Sequence, residues 1–111
     1  MKVTQYSEGC GALISDIQLA DLSVTQLADL RTIFAKHGLL FFRDQDFSPQ
    51  DHLQFAQRFG SIVVNKFFRA IEQFPEIAEV RKEKEQQTNI GGGWHTDHSY
   101  DDIPAMGSIL V

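Results

Sequence analysis

The spacing of apolar residues changes several times along the chain, and each change marks an element. Through about Leu19, apolar and polar residues are mixed and Gly9 and Gly11 punctuate them, which predicts a short strand or two entering the domain. From Ser23 the period lengthens. Leu27, Leu30, Ile33, Phe34 and His37 fall at helical spacing, Ser23 can cap the start and Gly38 can end the run, so an amphipathic helix is predicted. His37 sits in its last turn, where the helix dipole favours a cation, and is read as a capping residue. Leu39-Leu40-Phe41-Phe42 is short and apolar at every position, the pattern of a strand buried on both sides. Ser48-Pro49-Gln50-Asp51 then supplies an N-cap, a proline at the first helical position and an acid in the first turn. The second helix carries a buried stripe of Leu53, Ala56 and Phe59 up to Gly60, with His52 one position before the stripe and solvated.

Beyond Gly60 the periodicity weakens. Ser61 to Phe74 is apolar and aromatic with Asn65, Lys66 and Arg69 interspersed, which predicts a strand followed by a loop, with Phe67, Phe68 and Phe74 in a core. Ile77 and Val80 precede the mixed-sign run Arg81 to Gln87, read as a solvated loop or strand end. Gly91-Gly92-Gly93 lacks the Lys-Ser/Thr that completes a phosphate-binding glycine loop, so it reads as a flexible approach to the segment beginning at Trp94. Ser108-Ile109-Leu110-Val111 is strand-like. No repeat, low-complexity tract or linker interrupts the chain, which is read as part of one domain.

Composition narrows the class. At 111 residues with 42% hydrophobic and 23% charged content, the chain fits a globular protein and not a disordered one. The longest apolar run is too short to cross a bilayer and the first residues lack a signal-peptide core, so no membrane association and a cytoplasmic location are expected. A net charge of -5 with scattered basic residues argues against nucleic acid as a partner. Cys10 is the only cysteine; it can form no internal disulfide and is expected to be a buried bystander. The sequence leaves room for a homo-oligomer without specifying one.

Candidate chemistry concentrates in Gly91-Gly92-Gly93-Trp94-His95-Thr96-Asp97-His98-Ser99-Tyr100. In an extended strand, side chains two apart share a face, so His95 and Asp97 can offer a ring nitrogen and a carboxylate oxygen to one point. Two His and one carboxylate on one side of a metal, with the opposite side open, suit non-haem Fe(II) that must also take a co-substrate and oxygen. A regular strand would turn His98 away from the pair, toward a substrate pocket or the surface. A zinc hydrolase using His95, Asp97 and His98 has little support, because no water-activating Glu is placed near them.

Trp94-His95-Thr96-Asp97, with Pro104, Gly107 and the strand-like end, resembles the taurine dioxygenase-like family of Fe(II)/2-oxoglutarate-dependent dioxygenases. Gly11-Ala12-Leu13-Ile14-Ser15, Phe41-Phe42-Arg43-Asp44-Gln45 and Phe55-Ala56-Gln57-Arg58-Phe59-Gly60 agree with it in order, so the resemblance spans nearly the whole chain. It implies an α+β fold, an incomplete double-stranded β-helix or jelly roll with flanking N-terminal helices. His95 and Asp97 would be metal ligands and thereby catalytic, with Fe(II), 2-oxoglutarate and O₂ as the reactive partners and a small organic molecule as substrate. Residues 1–111 would be the N-terminal portion of one dioxygenase domain, truncated before the distal His ligand and the Arg that clamps 2-oxoglutarate. A His and a Tyr that hold the sulfonate in taurine dioxygenases are matched by Asn65 and Phe68, and an Asn by Gly91. Taurine is therefore expected to be a poor substrate, and Asn65, Phe68 and His98 are the expected substrate contacts. The competing reading is a non-catalytic, partner-binding or structural domain that keeps part of the fold.

Overall fold

The computed structural model describes residues 1–111 as two compact units, Met1–Phe59 and Gly60–Val111. In the first unit, β1 (Lys2–Gln5) pairs antiparallel with β2 (Ala12–Ser15), and β2 pairs in parallel with β3 (Leu40–Phe42). The strand order is β1-β2-β3, so β2 is central. Its alternation buries Ala12 and Ile14 on one face and half-buries Leu13 and Ser15 on the other. The parallel crossover from β2 to β3 runs through a 3-10 turn, Leu19–Asp21, and α1, Val24–His37. Ser23 and Gln26 form a reciprocal capping box at the start of α1. Gly38 ends it with φ 70°, a conformation that favours glycine, and donates its N–H to the Phe34 carbonyl. The carbonyl of His37 then accepts the Gly11 N–H at 2.9 Å, and that of Leu39 accepts the Ala12 N–H at 2.9 Å, so the helix end is stitched onto the head of β2.

The core consists of Ala12, Ile14, Ile17, Leu19, Leu22, Leu30 and Phe55, all within this unit. Leu27, Ile33, Phe34 and His37 are half-buried, as the helical spacing predicts. In α2 (Pro49–Phe59) the buried residue is Phe55, with Leu53, Ala56 and Phe59 half-buried, and the Phe47 and Phe59 rings both pack edge-on against Phe55. Phe47 also covers His52, which is half-buried against that ring at 5.8 Å and not simply solvated. Two arginines brace the helices. Arg58 donates to the Leu22 carbonyl at 2.7 Å, and Arg31 donates to the Phe59 carbonyl at 3.2 Å while its guanidinium lies over the Phe59 ring. Gln45 ties the loops: Oε1 accepts from Leu19 N–H at 2.9 Å, and Nε2 donates to the Ile17 carbonyl at 3.1 Å and the Arg43 carbonyl at 2.8 Å.

Two expectations fail here for clear reasons. The strand β3 is half-buried rather than covered on both faces, because it lies at the edge of its three-stranded sheet. Cys10 is exposed, because the chain between β1 and β2 bends outward, with Ser7 bonded to the Cys10 backbone.

The Gly60–Val111 unit contains one regular feature, an antiparallel hairpin of β4 (Ala70–Ile71) and β5 (Phe74–Ala78) with a bulge at Ala70/Ile71. The expected order of strand then loop is reversed. Asn65 Oδ1 accepts the N–H groups of Phe67 at 2.8 Å and Phe68 at 3.1 Å, which bends the chain and withholds those donors from a ladder. Phe67 is 72% exposed, so it is not a core residue. Residues 81–87 form no helix or strand, and Arg81 pairs with Glu83 on an exposed surface, in line with a solvated loop. No strand forms over residues 108–111 either; Leu110 and Val111 are exposed and no partner strand lies beside them. No helix is long and apolar enough to cross a membrane. The few strands present make an α+β arrangement and do not by themselves close a jelly roll.

Candidate functional site

Residues 94–96 take part in no ladder and the chain bends at Asp97 and His98, so the regular extended strand expected there is absent. The pair converges all the same: His95 Nε2 lies 3.3 Å from Asp97 Oδ1. What orients the imidazole is its other nitrogen, which lies 2.7 Å from the Gly93 carbonyl. A carbonyl can only accept, so Nδ1 carries a proton, and in the neutral ring it is the Nε2 lone pair that faces the carboxylate. A lone pair facing a carboxylate oxygen is repulsive unless a cation or a proton lies between them. Two donors about 2.1 Å from a shared divalent first-row ion, set at right angles, stand about 3 Å apart, and the observed separation suits that arrangement. The donor set therefore fits a metal, with Nδ1 held by a backbone carbonyl as ligating imidazoles commonly are.

The glycines before the pair have a steric role. Gly91 has φ 69°, and a Cβ built there would lie 3.1 Å from His95 Cε1, so any side chain at 91 would press on the imidazole edge. Gly91, Gly92, Gly93, Trp94 and His95 line an open depression. Both donors are accessible, with side chains 54% and 75% exposed, which leaves room for further ligands. No three His, Cys, Asp or Glu side chains converge anywhere in the chain, so a complete three-residue metal site is not assembled here.

His98 is not simply turned outward by strand alternation. It has φ 54°, and Asp101 donates its N–H to the His98 carbonyl at 3.0 Å, closing a turn. Its Nδ1 faces Asp101 Oδ2 at 3.1 Å, while Asp101 Oδ1 stands 3.8 Å from Lys66 Nζ. The Tyr100 ring lies 5.9 Å from the His98 ring and 5.8 Å from Phe67. The segment around Asn65 and Phe68 and the segment around His98 are thus brought together, though through Lys66, Phe67, Tyr100 and Asp101. Asn65 keeps a narrower capacity than its residue type suggests: its carbonyl oxygen is taken up by the turn, and Nδ2 is the group left to donate. Sequence reasoning missed Lys66, Tyr100 and Asp101. The three-residue spacing of His98 and Asp101 was the only local sign, and a turn rather than a strand was needed to make it meaningful.

Residues 2–111 match the family model described as Taurine catabolism dioxygenase TauD, TfdA family. The chain is 28% identical over 105 residues to (S)-phenoxypropionate/alpha-ketoglutarate-dioxygenase of Sphingobium herbicidovorans, a match covering 90% of this chain and 36% of that protein. It is 30% identical over 112 residues to the alpha-ketoglutarate-dependent sulfonate dioxygenase of Saccharomyces cerevisiae, covering 91% of this chain and 27% of that one. Among solved structures, a protein of Burkholderia xenovorans provisionally described as an alpha-ketoglutarate-dependent taurine dioxygenase superposes with a TM-score of 0.73 at 30% identity. That superposition covers 88% of this chain and 36% of the other. The chain therefore spans about a third of the length of these relatives. With the family model matched along almost its whole length, the chain belongs to the TauD, TfdA family of dioxygenases and represents its N-terminal region.

Proposed function

We propose that the chain supplies the N-terminal part of an Fe(II)/2-oxoglutarate-dependent dioxygenase that hydroxylates a small organic substrate. The observation that carries this reading is the His95–Asp97 pair: Nε2 and a carboxylate oxygen 3.3 Å apart, with the other ring nitrogen held by the Gly93 carbonyl. In this reading His95 and Asp97 hold Fe(II), and residues of the relatives' remaining length supply a third ligand and a cationic clamp for 2-oxoglutarate. Bound Fe(II) supplies the oxidising chemistry, in which 2-oxoglutarate and O₂ yield succinate, CO₂ and a hydroxylated product. The contributions of the chain itself are positional. The Gly93 carbonyl accepts from Nδ1, which makes Nε2 the ligating atom of the neutral ring, and Gly91 leaves the imidazole edge uncrowded.

Asn65, Phe68 and His98 are the proposed substrate contacts. Asn65 offers an uncharged Nδ2 donor, the Phe68 ring a half-buried apolar surface and His98 a ring nitrogen. Two relatives are named for phenoxypropionate and for sulfonates, both organic anions, which supports an organic acid as the substrate class. The test uses the protein that carries this chain, supplied with Fe(II), 2-oxoglutarate and O₂. Succinate formation with (S)-2-phenoxypropionate, a short alkanesulfonate and taurine is the measurement. His95→Ala and Asp97→Ala are each expected to cut Fe(II)-dependent succinate formation by more than about a hundredfold, and taurine to be the poorest of the three substrates. Parent-level turnover by either variant would overturn the ligand assignment.

A further inference from the structure

Apart from the His95–Asp97 pair, one group of side chains joins two separate stretches of the Gly60–Val111 unit, and Asp101 is at its centre. Both of its carboxylate oxygens are engaged, Oδ2 at 3.1 Å from His98 Nδ1 and Oδ1 at 3.8 Å from Lys66 Nζ. A carboxylate has no proton to give, so Nδ1 donates. The side chains of His98 and Asp101 are 23% and 20% exposed, whereas Lys66 is 75% exposed. The imidazole–carboxylate bond is therefore the firm contact, and the lysine contact is long and screened by solvent. The same two residues also close the backbone turn, Asp101 N–H to His98 carbonyl, with His98 in the left-handed region. Backbone and side-chain bonds between one pair of residues leave the ring little freedom. Tyr100 stands against one side of that ring and Phe67 against Tyr100, so an aromatic wall continues from the imidazole.

We propose that Asp101 is a positioning residue for substrate recognition: it holds the His98 imidazole by Nδ1 and leaves Nε2 as the ring atom that meets a polar group of the substrate. This step rests on the reading of His98 as a substrate contact. The substrate class that suits the arrangement carries a polar group beside an aromatic or alkyl body, the first for Nε2 and the second for the Tyr100 and Phe67 rings. Without the carboxylate, either ring nitrogen can take the proton and the ring can rotate, so the match to a fixed substrate geometry is lost.

The test combines a spectroscopic and a kinetic measurement on the protein carrying this chain. With zinc in place of iron, the ¹⁵N shifts of the His98 ring report which nitrogen bears the proton, independently of turnover. The parent is expected to show protonated Nδ1 in one tautomer, and Asp101→Ala a mixture of both. In the iron form with 2-oxoglutarate and (S)-2-phenoxypropionate as the probe, Asp101→Ala is expected to raise KM about tenfold, the weight of one good hydrogen bond, with kcat within about twofold. Iron stoichiometry should not change, and Asp101→Glu should recover part of the loss. A persisting single Nδ1–H tautomer in Asp101→Ala overturns the proposal, as does an unchanged KM in that variant when His98→Ala raises it. If His98→Ala itself leaves KM at the parent value, the substrate reading of His98 fails and this proposal with it.

Discussion

Met1–Phe59 and Gly60–Val111 are of similar length, yet they solve different problems. Every fully buried apolar side chain lies in the first, Ile14 of β2 and Leu30 of α1 among them. The second has no buried residue at all, although Trp94, Ile103, Met106 and Leu110 show that it does not lack apolar side chains. Its order comes from local bonds: Asn65 to the Phe67 and Phe68 amides, His95 to Gly93, His98 to Asp101. Buried packing is concentrated away from the candidate ligands, which stand on loops shaped by short-range hydrogen bonds.

The contrast can be broken most directly with leucines. Leu30 has no exposed surface, and Leu30→Ala should cost about 2–5 kcal/mol in denaturant unfolding, while Leu110→Ala, at a residue 89% exposed, should stay within about 0.5 kcal/mol. Equal losses at the two positions would show that the second unit has a core of its own. Gly91→Ala comes next. It forces an alanine to φ 69° with its Cβ 3.1 Å from His95, a local penalty of about 1 kcal/mol. Metal affinity, followed by the visible absorption of a Co(II) titration, should fall several-fold while the unfolding midpoint of the first unit holds. A shifted midpoint with unchanged metal affinity would reverse the roles assigned to the two units.

The smallest effect concerns Asp51 at the start of α2. Its hydrogen bonds from the Ser48 hydroxyl and the Ser48 N–H hold its carboxyl below the ordinary aspartate value. A lowered folded-state pKa means that this contribution is complete above the unfolded value, about pH 4, and is lost as pH falls through the folded one. The stability difference between the parent and Asp51→Asn should accordingly be flat from pH 7 to about pH 5 and narrow only below pH 4. A difference that changes around neutral pH would point to another group. Metal binding by the second unit should be indifferent to this substitution.

Legibility in the sequence divides along the same line. Ser23, the Leu27–Leu30–Phe34 stripe and Gly38 define α1 because capping and periodicity are local signals, and the structure agrees to the residue at both ends. Leu40 to Phe42 is legible as a strand but not as an edge, since apolar composition does not say how many neighbours a strand has. In the second unit the Asn65 side chain competes with strand pairing, and a pattern of apolar residues cannot show that competition. The candidate ligands are legible as His95 and Asp97, but strand alternation is not what makes them converge. They meet across an irregular stretch, with Gly93 orienting the ring, and the turn at His98 requires a positive φ that no spacing rule predicts.

The division of labour within the Asn65 carboxamide has a consequence for how such a site could change its taste. One atom of that group, Oδ1, shapes the loop by accepting two amides; the other, Nδ2, is the one free to face a ligand. Exchanging Asn65 for aspartate would swap a single NH₂ for an oxygen and leave the loop-shaping acceptor in place. The loop could keep its course while the face it shows reversed polarity, from welcoming acceptors to welcoming donors. With Asn65 as the proposed substrate contact, architecture and selectivity are written on opposite ends of one small side chain, so a lineage could revise the second without first having to rebuild the first.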